Sequence, residues 1–145
     1  MKSIWQTVLM TTVWLIIMQS AYWLAGPIEP ATTVDESRSE AWETTTKPGG
    51  SVTRMLTFRA NQSVTLRTYR RLVEIECDKC RIYELEQTQR SYEEGIVYRQ
   101  ARSVSIPEHV PPGRYRIEVD GRWRANPFRD GLVIIPPYTM TVVAK

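Results

Sequence analysis

Histidine occurs once in this chain, at position 109, and cysteine twice, at 77 and 80. One histidine excludes a His-rich metal site, and any Ser-His-Asp triad not built on His109. Two cysteines exclude a disulfide-dense scaffold. Net charge is also scarce: 19 Lys and Arg stand against 16 Asp and Glu, leaving +3. Missing as well are a nucleophile elbow, a phosphate-cradling glycine loop and an HExxH motif. Glu93 and Glu94 are adjacent, so in extended chain they point to opposite faces and make a poor acid-base pair. These absences favour a non-enzymatic protein without metal or cofactor. What is present is 42% hydrophobic residues in 145, enough to build a core and to exclude wholesale disorder.

The charge that exists is unevenly placed. Between residues 26 and 50, Arg38 and Lys47 oppose Glu29, Asp35, Glu36, Glu40 and Glu43, a net of −3. From residue 51 to the end the net is +5. An acidic segment thus precedes a mildly basic one.

Residues 4–25 carry no charge. As a helix they would run about 33 Å, enough to cross a hydrocarbon core of about 30 Å. Trp5 lies near one end, and Tyr22 and Trp23 near the other, where amphipathic rings favour the interfaces. Gly26-Pro27 stops the helix. A cleaved signal peptide would need small residues at −3 and −1, but a cut after Ala25 puts Trp23 at −3 and a cut after Ala21 puts Gln19 there. A helix apolar on nearly every face is either a membrane span or wholly buried in a large core, and the buried soluble helix is the less expected of the two here. An uncleaved signal anchor is therefore expected. Lys2 precedes it and the next basic residue, Arg38, comes well after, which puts the N-terminus in the cytoplasm.

Residues 26–50 have linker composition, with Pro27, Pro30, Pro48, Gly49 and Gly50 among Thr, Ser and Glu; a solvated spacer is expected. From residue 51 the hydrophobic period is two. Val52, Met55, Leu56 and Phe58 open a first strand, and Val64, Leu66 and Thr68 a second. The phase then slips at Leu72-Val73, predicting a bulge near Arg71-Leu72. Strands are expected at 81–85, 96–98 and 104–106. Tyr115, Ile117 and Val119 alternate with Arg114, Arg116 and Glu118. Asp120-Gly121 signals a hairpin, with Trp123 and Ala125 continuing the inward face beyond it. The run 132–135 and the alternation Tyr138, Met140, Val142 complete seven to nine short strands. Tyr115 and Trp123 are the expected core anchors. The pattern fits an antiparallel β-sandwich of immunoglobulin or fibronectin III type, with a small closed barrel as the alternative.

Several landmarks recur in a fixed order: Pro48-Gly49-Gly50, Tyr69-Arg70-Arg71, Glu94-Gly95-Ile96-Val97-Tyr98, Ile106-Pro107, Pro111-Pro112-Gly113-Arg114-Tyr115, Asn126-Pro127-Phe128 and Pro136-Pro137-Tyr138. Their order, over roughly residues 48–143, resembles small membrane-anchored proteins of tailed bacteriophages. The Pro-Gly-x-Tyr element is also similar to the final strands of bacterial Ig-like modules. The resemblance implies a phage-encoded protein of the bacterial inner membrane with a periplasmic Ig-like domain; the close Cys77/Cys80 pair departs from that pattern.

Two constellations carry candidate chemistry. Cys77-Asp78-Lys79-Cys80 would need carboxylates beyond His109 to complete a zinc site, and a helix N-terminus in a βαβ unit to act as a thioredoxin-like centre. A structural disulfide in an oxidising compartment is the expected state. Arg67, Arg114, Arg116, Arg122 and Arg124 fall on outward strand phases near Tyr69 and Trp123. Such a face suits anionic lipid head groups, cell-wall polymers or nucleic acid; most faces of this kind are only solvated, here paired with Glu74, Glu76, Glu118 and Asp120. Nucleic acid is not an expected partner at a domain net charge of +5 in the predicted location. The first functional expectation is a membrane-tethered binding or scaffold module. A small subunit of a secretion, pilus or conjugation apparatus is the second, and a periplasmic thiol oxidoreductase using Cys77 and Cys80 the third.

Overall fold

The computed structural model describes residues 2–41, 44–75 and 79–144. It opens with helix α1 (Lys2–Ala25), followed by β1 (Thr32–Val34), a 3-10 turn (Glu36–Arg38), β2 (Glu40–Ala41), β3 (Thr45–Thr46), β4 (Ser51–Ala60) and β5 (Val64–Glu74). Then come β6 (Ile82–Glu84), β7 (Thr88–Tyr92), β8 (Val97–Ser105), β9 (Gly113–Asn126) and β10 (Arg129–Val142). The chain is mainly β, with one N-terminal apolar helix and two sheets.

In the four-stranded sheet, β4 pairs with β8 along one edge and with β1 and β2 along the other, all antiparallel. In the six-stranded sheet the order is β3-β10-β9-β5, and β6 and β7 share the far edge of β5. The β3–β10 pairing is parallel and covers only Thr45 and Thr46. Val52, Leu56, Phe58 and Val104 from the first sheet meet Leu66, Leu72, Ile117, Val119 and Met140 from the second in one core. Each such side chain stabilises the fold by about 1.5–3 kcal/mol when withdrawn from water.

Period two was sufficient to place most strands, and the departures have physical causes. Residues 26–50 were expected to be a spacer. Instead they supply three short strands, with Ala31 and Thr32 buried and Asn61 Nδ2 donating to Pro30 O at 3.0 Å. Asp35 caps the 3-10 turn by accepting from Ser37 N at 3.1 Å. The expected bulge near Arg71-Leu72 is absent: β5 pairs with β9 without a shift from Arg67 to Glu74, and Leu72 is fully buried. The phase continues Leu66, Thr68, Arg70, Leu72, so Arg70 points between the sheets.

The Asp120-Gly121 hairpin is also absent. β9 runs straight through that pair, with Gly121 opposite both Val133 and Thr68. The turn falls at Asn126-Pro127-Phe128-Arg129, where Phe128 N donates to Asn126 Oδ1 at 2.9 Å. An Asx side chain makes this turn. The two strands expected at 96–98 and 104–106 are one strand, β8, because polar Arg99, Gln100 and Arg102 lie within a ladder fully paired to β4. Strand β7 had no alternating apolar signal in Thr88-Gln89-Arg90-Ser91-Tyr92. β10 crosses Pro136-Pro137 through a register shift between Ile135 and Tyr138.

Tyr115 is fully buried and Trp123 nearly so. The Tyr115 hydroxyl donates to Pro111 O at 2.8 Å, and burial, then Tyr83 and Glu74, push its pKa up to about 12. Trp123 lies flat over Gly131, its Cα partner on β10; a Cβ there would sit 2.2 Å from Trp123 Cζ2. Before the first long strand, Gly50 N donates to Lys47 O at 2.9 Å and Gly49 has φ +81, the arrangement of a type II turn with Pro48 ahead of the glycine.

Truncating Tyr115→Ala or Trp123→Ala is expected to cost about 3–5 kcal/mol. Gly131→Ala adds a methyl group against the indole and is expected to cost about 1–3 kcal/mol by overpacking. Denaturant unfolding of the full chain in a neutral detergent checks all three. Midpoints unchanged from the parent would refute the assigned strand phase.

Candidate functional site

The expected arginine face forms on the outer side of the six-stranded sheet. Arg114, Arg116, Arg122 and Arg124 alternate outward along β9, and Arg67 projects from β5 beside them. Much of this charge is locally answered. Glu118 receives Arg71 Nε at 2.7 Å and Arg116 Nη2 at 2.6 Å, and Arg124 Nη1 meets Asp130 at 3.2 Å. Asp120 lies 4.0 Å from Arg71. Arg67 and Arg122 are Cα partners, so two like charges stand directly opposite. Arg67 Nε reaches Gln89 Oε1 at 3.3 Å, and the Arg122 guanidinium lies 5.0 Å from the Tyr69 ring centroid. Together with Trp123, Arg124 and Asp130 they line a shallow outer groove. The face is thus a mixed network at its Glu118 end and a cationic, aromatic patch at its Arg67–Arg122 end.

A second arginine cluster lies inside, where sequence reasoning placed none. Arg54 on β4, Arg102 on β8 and Arg70 on β5 all occupy inward strand phases and are half-buried. Arg54 and Arg102 are directly opposed in the β4–β8 register. Arg54 Nη1 donates to Pro136 O, and its guanidinium lies 5.1 Å from the Tyr138 ring centroid. Arg70 Nη2 donates to Thr88 Oγ1 at 3.3 Å, and Arg102 Nη2 donates to the Tyr92 hydroxyl. Among the described residues none of the three forms an ion pair. Desolvation lowers the pKa of Arg70, with Arg102 adding repulsion. Desolvation also lowers that of Arg102, against the favourable effect of Tyr92. The three head groups line a cleft of about 50 Å3 between the sheets, with Phe58, Leu66 and Ile135 on its apolar walls. The signal for it was in the sequence: Arg70 keeps the β5 period that the presumed slip discarded.

At the far end of the domain, α1 meets the β9–β10 turn. Asn126 Nδ2 donates to Trp23 O at 2.8 Å, Arg129 Nη1 donates to Gly26 O at 2.7 Å, and the Trp23 and Phe128 ring centroids are 6.2 Å apart. Residues Ile4–Ala25 are otherwise exposed on every face. Thr11 and Thr12 donate their hydroxyls to Thr7 O and Val8 O, each at 2.9 Å, so neither leaves an unmet donor.

Cys80 is disulfide-bonded, while Cys77 lies outside the described residues. His109 is exposed, with its ring centroid 5.7 Å from that of Tyr83. Among the described residues no three His, Cys, Asp or Glu side chains converge to hold a metal.

Comparison with protein-family models and with curated proteins finds no match. Among solved structures the chain is similar to Spo0M, a sporulation control protein from Bacillus subtilis, with a TM-score of 0.41 and 12% identity. The similarity covers 81% of this chain and 50% of that one, so this chain spans about half of that protein's length.

Desolvation tends to raise the pKa of Glu118, but hydrogen bonds from Arg71 and Arg116 win and hold it below the usual carboxylate value. A depressed carboxylate stabilises the fold above its unfolded pKa, and that contribution is lost as pH falls through the folded value. Glu118→Gln should therefore lower Tm slightly in the neutral region, leave it nearly unchanged at low pH, and so flatten the acid limb of the Tm-against-pH curve below about pH 5. For the cysteines, Cys77→Ser/Cys80→Ser should keep the fold and cost about 1–3 kcal/mol. A double variant that melts with the parent would remove the clamp reading.

Proposed function

We propose that this protein is a non-enzymatic binding module held at a bacterial inner membrane by residues 4–25. In this reading its N-terminus is cytoplasmic, its β domain periplasmic, and its gene of phage origin. The observation that carries the proposal is helix α1, which is apolar on all sides, unburied by the rest of the chain, and continuous with a β domain. Trp5 and Trp23 at its ends suit two interfaces. The hydrogen bonds from Asn126 and Arg129 to the end of α1 would seat the Phe128 turn against the bilayer surface. There Phe128, Arg129 and the nearby Arg124 match an interface of apolar chains and anionic head groups.

We read the domain as an Ig-like sandwich. The bond from the buried Tyr115 hydroxyl to the backbone four residues upstream supports this, since a tyrosine so tied marks a corner of such sandwiches. The domain acts through its surface. Its binding face is the patch of Arg67, Arg122 and Tyr69, extended by Arg114, Arg116 and Arg124, and its partner is an envelope protein or an anionic cell-wall polymer.

Alkaline phosphatase fused after Lys145 should be active in intact bacteria, and the fusion should stay with membranes through an alkaline carbonate wash. A cytoplasm-active fluorescent protein at the same position should stay dark. A soluble, cytosolic fusion would overturn the proposal.

A further inference from the structure

The three inward arginines are difficult to explain as packing. Opposed like charges on one sheet face destabilise a strand pair, and Arg54 faces Arg102 in register between two sheets. Withdrawing a guanidinium from water costs free energy unless an anion or several acceptors replace the solvent. Glu86 acts on Arg70 only as a minor, more distant charge, and among the described residues the acceptors the three arginines reach are neutral, namely Pro136 O, the Thr88 hydroxyl and the Tyr92 hydroxyl. Each of these takes a single donor from a head group that has five. The side chains of Arg54, Arg70 and Arg102 border one cleft, to which Tyr138 and Thr68 also contribute, and none of their nitrogens is both fully buried and unbonded. The surrounding walls are apolar, so a charge held there is weakly screened.

We infer that this cleft binds a phosphate group through Arg54, Arg70 and Arg102. Phosphate fits on three counts. Its oxygens accept paired donors from planar guanidinium forks, a match lysine would not give. A dianion answers more of the threefold positive charge than a carboxylate does. The free volume of about 50 Å3 is enough for a few waters or one small oxyanion. All three arginines keep part of their surface exposed, so the cleft is reached from solvent. The bound group would also bridge the sheets, since Arg54 and Arg102 belong to one and Arg70 to the other. This inference does not depend on the membrane topology or on the outer arginine patch.

The test is thermal melting of the full chain in a sugar-based, phosphate-free detergent. Sodium phosphate is titrated against sodium chloride at matched pH and ionic strength. A saturable rise in Tm of several degrees is expected with millimolar phosphate, because ligand that binds only the folded state raises its stability. Arg70→Met and Arg102→Met keep much of the side-chain volume while removing the charge. Each should melt no lower than the parent in chloride and should lose the phosphate-dependent rise. Arg59→Gln and Arg99→Gln, on the outward phases of β4 and β8, should keep it. A parallel arm replaces the free ion with phosphatidic acid doped into the micelles. A rise with the free ion assigns the site to a small phosphate, and a rise with the lipid alone assigns it to a head group. No rise in either arm overturns the inference. So does a rise that persists undiminished in Arg70→Met and Arg102→Met.

Discussion

The strand β9 constrains everything around it. Between Tyr115 and Arg122 it is flanked by β5 on one side and β10 on the other, so the backbone N–H and C=O groups of that stretch are largely committed to a neighbour. Such a strand cannot turn or bulge without orphaning donors in the middle of a sheet. Its parity is therefore fixed from Tyr115 to Trp123, and through register it fixes the parity of both partners. That single requirement buries Tyr115, Ile117, Val119 and Trp123 and turns Arg114, Arg116, Arg122 and Arg124 outward. Acting through β5, it also aims Arg70 into the interior.

The two sheets then share one core, but the match between their inner faces is not apolar throughout. Leu72, Ile117 and Val52 are fully buried. Around Arg54, Arg70 and Arg102 the core opens into a cleft with guanidinium groups on both walls. The outer surface of the six-stranded sheet shows the reverse allocation. Its arginines largely find carboxylates at Glu118, Asp120 and Asp130. On the outer face Arg71, Arg116 and Arg124 meet carboxylates, whereas the inner arginines have only neutral acceptors among the described residues.

Much of this was legible from residue order, and the failures share a cause. Period two marks β4, β5, β9 and the end of β10 because one face of each is buried. It cannot distinguish a charged residue facing inward from a change of phase, and so Arg70 reads as a slip. Turn residues mislead in the same way: Asp-Gly is favoured in tight hairpins, yet Gly121 serves here to let Val133 and Leu66 approach the backbone. Asn126-Pro127-Phe128 makes the turn through a side-chain bond that no short dipeptide code announces. Residues 31–46 have spacer composition because their strands are only two or three residues long, held by neighbours rather than by apolar content. The interior arginine cluster, assembled from three separate strands, has no local signature beyond its in-phase positions.

Strand β10 ends its sheet without a full partner. Beside it β3 covers only Thr141 and Val142, so among the described residues the stretch from Arg129 to Pro137 has no strand on its outer side and bears the exposed side chains of Leu132 and Ile134. An edge of that kind invites a second chain to continue the sheet. Pro136 and Pro137 lack amide hydrogens, and the register shift beside them bends the strand away from a straight template. The proline pair therefore limits how far along this edge a second copy could extend the sheet.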